Sequence, residues 1–489
     1  MAYTSRQVWL GGGLLAILLF GLLAGCAQPG PTLAVTAEPD VPTVWSTTTT
    51  ALQGRQAESL QRWWQRFDDP LLSELIEQAL RANTSVLSAQ AALQQARALR
   101  DVAAAGQSPT VGTSASAQRS NRSATSGGSG NLFQAGLDAS WELDIFGARR
   151  NARSAAEADA LARAASLGDV QVSIAAEVGL SYLGLRSAQS RLRVADANLA
   201  SQTQTQQLTD WRVQAGLLSG LEAAQARAAA AQTAAQQQTL QIAVAQSGHA
   251  LAVLTGQPPA ALDARLATVA AIPQAPDTLT LSLPADTLRQ RPDVRAAEQQ
   301  VLAAQARVAQ ADAARYPSLR LGGNLGLSAL TLGGLGSSAV TSVLLASMSW
   351  PLWDGGAASA QVRAQRAGVD QARSTYRASV LTALKDVEDA LVALRGDRER
   401  RLRLGQAAEA AALAANLARQ RYASGLVDFQ IVLDTQRSQL ATEDALASAD
   451  ADVGADHVRL FKALGGGWSP AELEPSGTTS SSISTSDQP

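Results

Sequence analysis

Trp141-Glu142-Leu143-Asp144-Ile145-Phe146-Gly147-Ala148 and Trp350-Pro351-Leu352-Trp353-Asp354-Gly355-Gly356-Ala357 decide the reading of this 489-residue chain. Each closes an alternating, strand-like stretch and opens a helix-rich one, and the two leading tryptophans stand 209 residues apart. Working outward, Pro109 and Pro317 precede the alternating stretches at a spacing of 208. Gly216 in Ala-Gly-Leu-Leu and Gly425 in Ser-Gly-Leu-Val are again 209 apart, and Leu254-Thr-Gly and Leu464-Gly-Gly close each unit 210 apart. Register held through four landmarks implies tandem duplication of one large supersecondary unit, longer than ordinary solenoid repeats.

Within each unit the order reads helix, hairpin, helix, helix. Val111, Thr113, Ala115 and Ala117 alternate with Gly112, Ser114 and Ser116, and Phe133, Ala135, Leu137, Ala139 and Trp141 return at period two. Leu319, Leu321, Gly323, Leu325 and Leu327 repeat the pattern before a strand ending at Trp350. Hairpins are expected at about 109–146 and 317–352, with strands of about 11–13 residues, enough for a tilted strand to cross a bilayer. No proline lies between Pro109 and Pro258 or between Pro351 and Pro470. Val178, Leu185, Leu192 and Leu199 recur every seven residues, with Ser181, Ala188 and Ala195 in the intervening seam. Val380, Val387 and Leu394 do the same beside Leu384 and Leu391. A large and a small residue alternating along a heptad seam describes closely packed, coiled-coil-like helices. Long helix pairs are expected at about 148–254 and 357–464. Their first arms, of roughly 65 residues, would be about 100 Å long. Gly216 and Gly425 mark the turns at the tips.

Composition excludes several classes. Forty basic residues against 42 acidic ones leave no basic face for nucleic acid. One cysteine rules out a disulfide framework, and two histidines argue against a metal centre. There is no Gly-x-x-x-x-Gly-Lys phosphate loop and no nucleophile elbow, so neither an enzyme nor a cofactor is expected. His249 and His457, near the ends of the second long helices, read as equivalent surface or packing positions. The charged run Arg395 to Arg403 reads as a solvated helix face.

The N-terminus has Arg6, an apolar run from Leu14 to Leu23, and then Ala24-Gly25-Cys26. This is the pattern of a secretory signal, assigned to residues 1–25. Leu23-Ala24-Gly25-Cys26 resembles a bacterial lipobox, which implies a covalent lipid on Cys26, and Ala27 resembles the residue that follows in lipoproteins sent to the outer membrane. The remaining organisation is a linker (26–59), repeat 1 (60–257), an inter-repeat linker (258–283), repeat 2 (284–467) and a disordered tail (468–489).

Four strands per chain cannot close in lipid, where an open edge leaves backbone groups unpaired. Membrane barrels start at about eight strands, so two copies would give eight and three would give twelve. Trp63-Trp64 with Phe67-Asp-Asp-Pro70, the Trp141 motif, Arg291-Pro-Asp-Val294, Arg315-Tyr-Pro-Ser-Leu319 and Leu433-Asp-Thr-Gln-Arg437 together resemble TolC-type outer-membrane factors. The likeness is greatest to the lipidated NodT branch and covers about residues 60 to 468. Asn83-Thr84-Ser85 departs from the acidic or proline-containing turn usual in that family.

The resemblance implies an α+β, mainly helical protein. It also implies a homotrimer with a twelve-stranded barrel in outer-membrane lipid and a periplasmic helical tube sealed at its tip. Its partners would be a periplasmic membrane-fusion adaptor and an inner-membrane pump, and its function passive conduction of small molecules in tripartite efflux. A type I protein-secretion channel and a periplasmic coiled-coil scaffold lipoprotein are the alternatives. By resemblance, Arg421, Tyr422 and Asp434 match gate positions and Glu222 an acidic partner. Arg421 of one subunit is expected to bridge to Asp434 of a neighbour.

Overall fold

The computed structural model describes residues 41–42, 44–46, 60–120, 130–276, 284–337 and 339–469. Contacts divide the chain into residues 1–36 and 37–489. The expected signal segment, Cys26 and nearly all of the tail lie outside the described residues.

Repeat 1 contains α1 (Pro70–Ala82), α2 (Thr84–Ala105), β1 (Thr110–Ser120), β2 (Gly130–Leu143), α3 (Ala148–Gln214) and α4 (Gly220–Leu254). Repeat 2 contains α5 (Pro284–Gln290), α6 (Pro292–Ala313), β3 (Ser318–Ala329), β4 (Thr341–Ser349), α7 (Ala357–Ala423) and α8 (Phe429–Ala463). The duplication extends to element lengths: α3 and α7 are each 67 residues, α4 and α8 each 35, and α2 and α6 each 22. Strands run 11, 14, 12 and 9 residues, a wider spread than the sequence suggests. Among the described residues no helix is both long and apolar enough to cross a membrane.

The two landmark motifs build the corners between strand and long helix. Gly147 and Gly356 precede α3 and α7 with φ of 84° and 88°, a left-handed conformation that a Cβ would strain. Asp144 accepts from the N–H groups of Arg149 (3.0 Å) and Arg150 (2.7 Å), and Asp354 from those of Gly356 (2.8 Å) and Ala358 (2.7 Å). Each places negative charge at a helix N-terminus, where the dipole favours it. The Trp141 indole donates to the Gln107 carbonyl (2.9 Å) and Trp350 to that of Arg315 (3.2 Å), tying each hairpin's exit to its entry.

The strands form one antiparallel sheet in the order β1-β2-β3-β4. Its register aligns Thr113, Leu137, Leu325 and Ser342, and next to them Val111, Ala139, Gly323 and Leu344. Side chains alternate across a sheet, so these rows share one predominantly apolar face. Leu137, Leu325, Leu344 and Met348 on it are exposed. The opposite face is predominantly polar, with Val343 and Leu345 of β4 the exceptions: Asp138 accepts from Ser114 (2.8 Å) and Asn324 (2.7 Å) across three strands. Within the chain β1 and β4 each have one open edge.

The core lies where the short helices meet the long ones. Trp63, Trp64 and Phe67 pack with Leu72, Leu75 and Ile76 of α1, Val178 and Tyr182 of α3, and Val458 and Phe461 of α8. Leu262, Leu266 and Ala275 are buried in the same cluster, so the segment joining the repeats is docked on the core at these three residues. Trp468 is also buried, its indole donating to the Gln290 carbonyl (3.1 Å), so the expected tail begins after it. The N-terminal segment is likewise docked. Val41 rests on Leu288 and Val380, and Trp45 is buried among Val387, Leu394 and Leu460. Asn83 breaks the first helical stretch in two. Its side chain accepts from the Ser85 N–H (2.8 Å), capping α2, and donates to the Leu254 carbonyl (2.9 Å) at the end of α4.

Candidate functional site

The two long helices reverse at equivalent tips. Gly216 and Gly425 have φ of 74° and 76°, and the residue after each donates back to the last helical turn: Leu217 to Arg212 O (2.8 Å) and Leu426 to Arg421 O (2.9 Å). This six-to-one closure with a left-handed glycine ends a helix cleanly and frees the chain to reverse.

Re-entry differs between the tips. Ser219 caps α4 by accepting from the Leu221 N–H (3.2 Å), and its hydroxyl donates to Glu222, which holds that carboxyl below the usual carboxylate range. Asp428 stands at the corresponding position before α8 and makes no side-chain cap. Asp434 accepts from Gln430 (2.9 Å) and lies 3.8 Å from Arg437, on its own helix.

A small apolar cluster stiffens the pair of tips. Tyr422, Phe429, Val432 and Leu433 pack with Ala226, Ala229 and Ala418. The Tyr422 and Phe429 ring centroids are 5.8 Å apart. Arg212, reaching across from α3, stacks 4.4 Å over the Tyr422 ring and donates to the carbonyls of Tyr422 and Ala423, each at 3.1 Å. One side chain thus gives two of the carbonyls that end α7 a further donor and adds a cation–π contact. Behind the tip the α3–α7–α8 seam becomes polar. Arg419 donates to Ser201 (2.6 Å), Gln436 to Thr205 (3.1 Å) and Asn198 to Glu443 (2.9 Å), and Arg191 binds both oxygens of Asp444 (2.8 and 2.9 Å).

Of the expected gate residues, Arg421 and Asp434 are exposed and are not paired with each other within one chain. Glu222 is committed to its cap, and Tyr422 is buried in the tip cluster, its hydroxyl without a partner among the described residues. Sequence reasoning missed Arg212. The signal was available, because Arg212 and Arg421 are 209 residues apart and hold the same place in the two repeats.

Two other expectations are corrected. His457 is buried, with Nε2 3.0 Å from Arg398 and Nδ1 3.0 Å from the Val453 carbonyl, whereas His249 is exposed. They are one residue out of register and not equivalent. The run from Arg395 to Arg403 is only partly a solvated face: Arg400 bonds Asp452 (3.0 Å) and Arg401 bonds Asp450, both on α8, while Arg403 pairs with Glu399 (2.9 Å) on its own helix.

Comparison with known proteins agrees with this architecture. The family model described as outer membrane efflux protein matches residues 75–257 and 283–466, the two repeats. The pyoverdine export outer membrane protein OpmQ of Pseudomonas putida is 33% identical over 468 residues, covering 92% of this chain and 96% of that protein. Nodulation protein T of Rhizobium leguminosarum is 28% identical over 459 residues, covering 94% of each. The solved structure of the outer-membrane channel OprN superposes with a TM-score of 0.82 at 35% identity, covering 88% of this chain and 99% of that one.

Proposed function

The chain belongs to the outer membrane efflux protein family, and on that premise we propose that three copies form the outer-membrane conduit of a tripartite export system. The observation that carries this reading is the sheet, with one uncovered apolar face, one polar face and two open edges. In lipid those edges must be paired, and three copies of four strands close a twelve-stranded barrel with its polar face inward. The helices agree. In repeat 2, α6 is flanked by both α3 and α7, whereas in repeat 1, α2 packs on α3 and the end of α1. The α7 of a neighbouring copy fits the open flank of α2 as α3 fits α6.

Passive conduction follows from the absence of a nucleotide-binding loop in the sequence. Energy then comes from an inner-membrane pump, joined through a periplasmic adaptor that meets the helix tips. The relative named for pyoverdine export supports small molecules as cargo. A lipid on Cys26 is compatible with chain length. Val41 rests on α7 beside Val380, 23 residues from the start of that helix, or about 35 Å along it. Fifteen residues from Cys26 to Val41 reach about 50 Å when extended.

The tips are the gate in this reading. Arg421 stands toward the next copy as Arg212 stands toward Tyr422 within the chain. It therefore meets the neighbour's α3–α4 turn, where Glu222 lies, and exposed Asp434 offers a second carboxylate at the same ring. Exposed ion pairs contribute about 0–1 kcal/mol each, so a ring of them closes a pore that a docking partner can still open. Arg421→Ala and Asp434→Ala are expected to raise single-channel conductance in planar bilayers while the trimer stays intact. Unchanged conductance in an intact trimer removes the gate assignment.

A further inference from the structure

The duplication supplies a template for a contact that one chain leaves unmade. Within the chain, α3 of repeat 1 covers one face of α6 of repeat 2: Ala303 and Ala306 are buried there, and Arg307 donates to Asp159 across the seam. Their counterparts on α2, 208 residues earlier, are Gln95, Ala98 and Leu99, and all three are exposed. Leu99 is 58% exposed, and Val102, one turn on, 67%. The long helices differ in the same way. Ala158, Ala162 and Ala165 of α3 are buried, whereas Ala367, Gln371 and Ser374, 209 residues later on α7, are exposed. The two open faces are the halves of one seam, repeat 2 on repeat 1, and another copy of the chain brings them together.

The chemistry of this second seam is not that of the first. Where the seam within the chain sets Arg307 against Asp159, the corresponding residues are Leu99 and Gly368. Gly368 lies in the interior of α7, where glycine weakens a helix. Nothing in the chain lies within 4 Å of the place its Cβ would take, so no contact within the chain calls for glycine there. A branched apolar side chain opposite a missing one is a knob facing a hole.

We infer that Leu99 of one copy seats over Gly368 in α7 of the next, and that this contact keys the register between neighbouring copies along their helices. The inference rests on the reading that three copies form the conduit, and in that ring the seam occurs three times.

The test is a double-substitution cycle on the full-length protein in detergent, with trimer measured by electrophoresis without heating and by light scattering. Gly368→Leu fills the hole and is expected to lose trimer; adding Leu99→Ala, which removes the knob, is expected to regain it. Leu99→Arg with Gly368→Asp copies the ion pair of the α3–α6 seam into the seam between copies and should assemble better than either substitution alone. Should Gly368→Leu fail to fold, as read by circular dichroism, the Arg and Asp pair carries the test. Trimer at the wild-type level in Gly368→Leu, or a loss that Leu99→Ala does not lessen, overturns the contact. Arg and Asp substitutions whose losses simply add overturn it equally. Failure of the conduit reading is distinguishable, because then the wild type itself forms no trimer.

Discussion

Two equivalent joints, one in each repeat, do the same mechanical job with different chemistry. In repeat 1 the neutral amide of Asn83 donates to the carbonyl of Leu254, which ends α4. In repeat 2 the residue 208 places on, Arg291, donates to the carbonyl of Ala463, which ends α8 (2.9 Å). The guanidinium is buried and needs counter-charges: Asp293 takes two of its N–H groups (3.0 and 2.7 Å) and Asp386 a third (3.3 Å). The joint adjoins a cavity of about 390 Å³ that also touches Asp169, Asp389, Asp456, Arg459 and Lys462. Both joints keep a side-chain bond to the carbonyl that ends the second long helix while the side chains differ, so one half is fastened by a neutral hydrogen bond and the other by a charge network. Only the second should respond strongly to pH or to loss of a single ion.

The largest expected difference comes from the joints themselves. Arg291→Ala removes the cation shared by the partly exposed Asp293 and Asp386 together with the bond to Ala463, and is expected to cost about 2–3 kcal/mol, as for loss of charge-assisted hydrogen bonds. Asn83→Ala removes a cap and one hydrogen bond and should cost about 1–2 kcal/mol. Thermal unfolding of the detergent-solubilised protein compares them, and equal losses would break the contrast.

Next in size is pH. Asp456 is 1% exposed, with Arg459 on one oxygen (2.6 Å), its other oxygen without a partner among the described residues, and the Asp397 carboxylate nearby. Burial first, then the neighbouring carboxylate, push it up from 3.8 to about 6. The folded state then holds more protons than the unfolded chain between those values, so stability falls as pH rises from about 4 to about 6 and is level above. Burial and Asp293 likewise raise Asp169, adding to the same trend. The counterparts of Asp397 and Asp456 in repeat 1 are Ala188 and Ser247. Asp456→Asn should flatten most of this slope in melting temperature measured across that window. A slope unchanged in the variant would place the titration elsewhere.

A smaller effect separates the two tip arginines. Arg212→Ala removes the α7 terminal bonds and the stacking on Tyr422, with an expected loss of about 1–2 kcal/mol in stability. Arg421→Ala should change stability by less than about 0.5 kcal/mol, as for an exposed residue, and show its effect in conductance. Tyr422→Phe, which deletes a buried hydroxyl without a partner among the described residues, should be neutral or slightly stabilising. A marked loss there would reveal a partner from a neighbouring copy.

Much of this was legible from residue order. The paired landmarks located both strand-to-helix corners and both tip glycines, because a left-handed turn demands glycine and a proline-free, alanine-rich run propagates as helix. The hairpins showed through period-two alternation. Less legible were the contacts of side chains far apart in sequence. Nothing in Asn83-Thr-Ser announces a bond to Leu254, and Tyr422 reads as a surface gate residue until Phe429 and Arg212 are seen to enclose it. In the linker at 258–283 the turn-rich composition hides the burial of Leu262, Leu266 and Ala275.

Local order along the chain therefore determined the duplicated helix–hairpin–helix–helix unit, its lengths and its turns, since these depend on backbone propensity and periodicity within a few residues. Tertiary structure alone decided which faces remain open and which charges are buried together. Those depend on neighbours some 200 residues apart, whose desolvation and pairing no local pattern records.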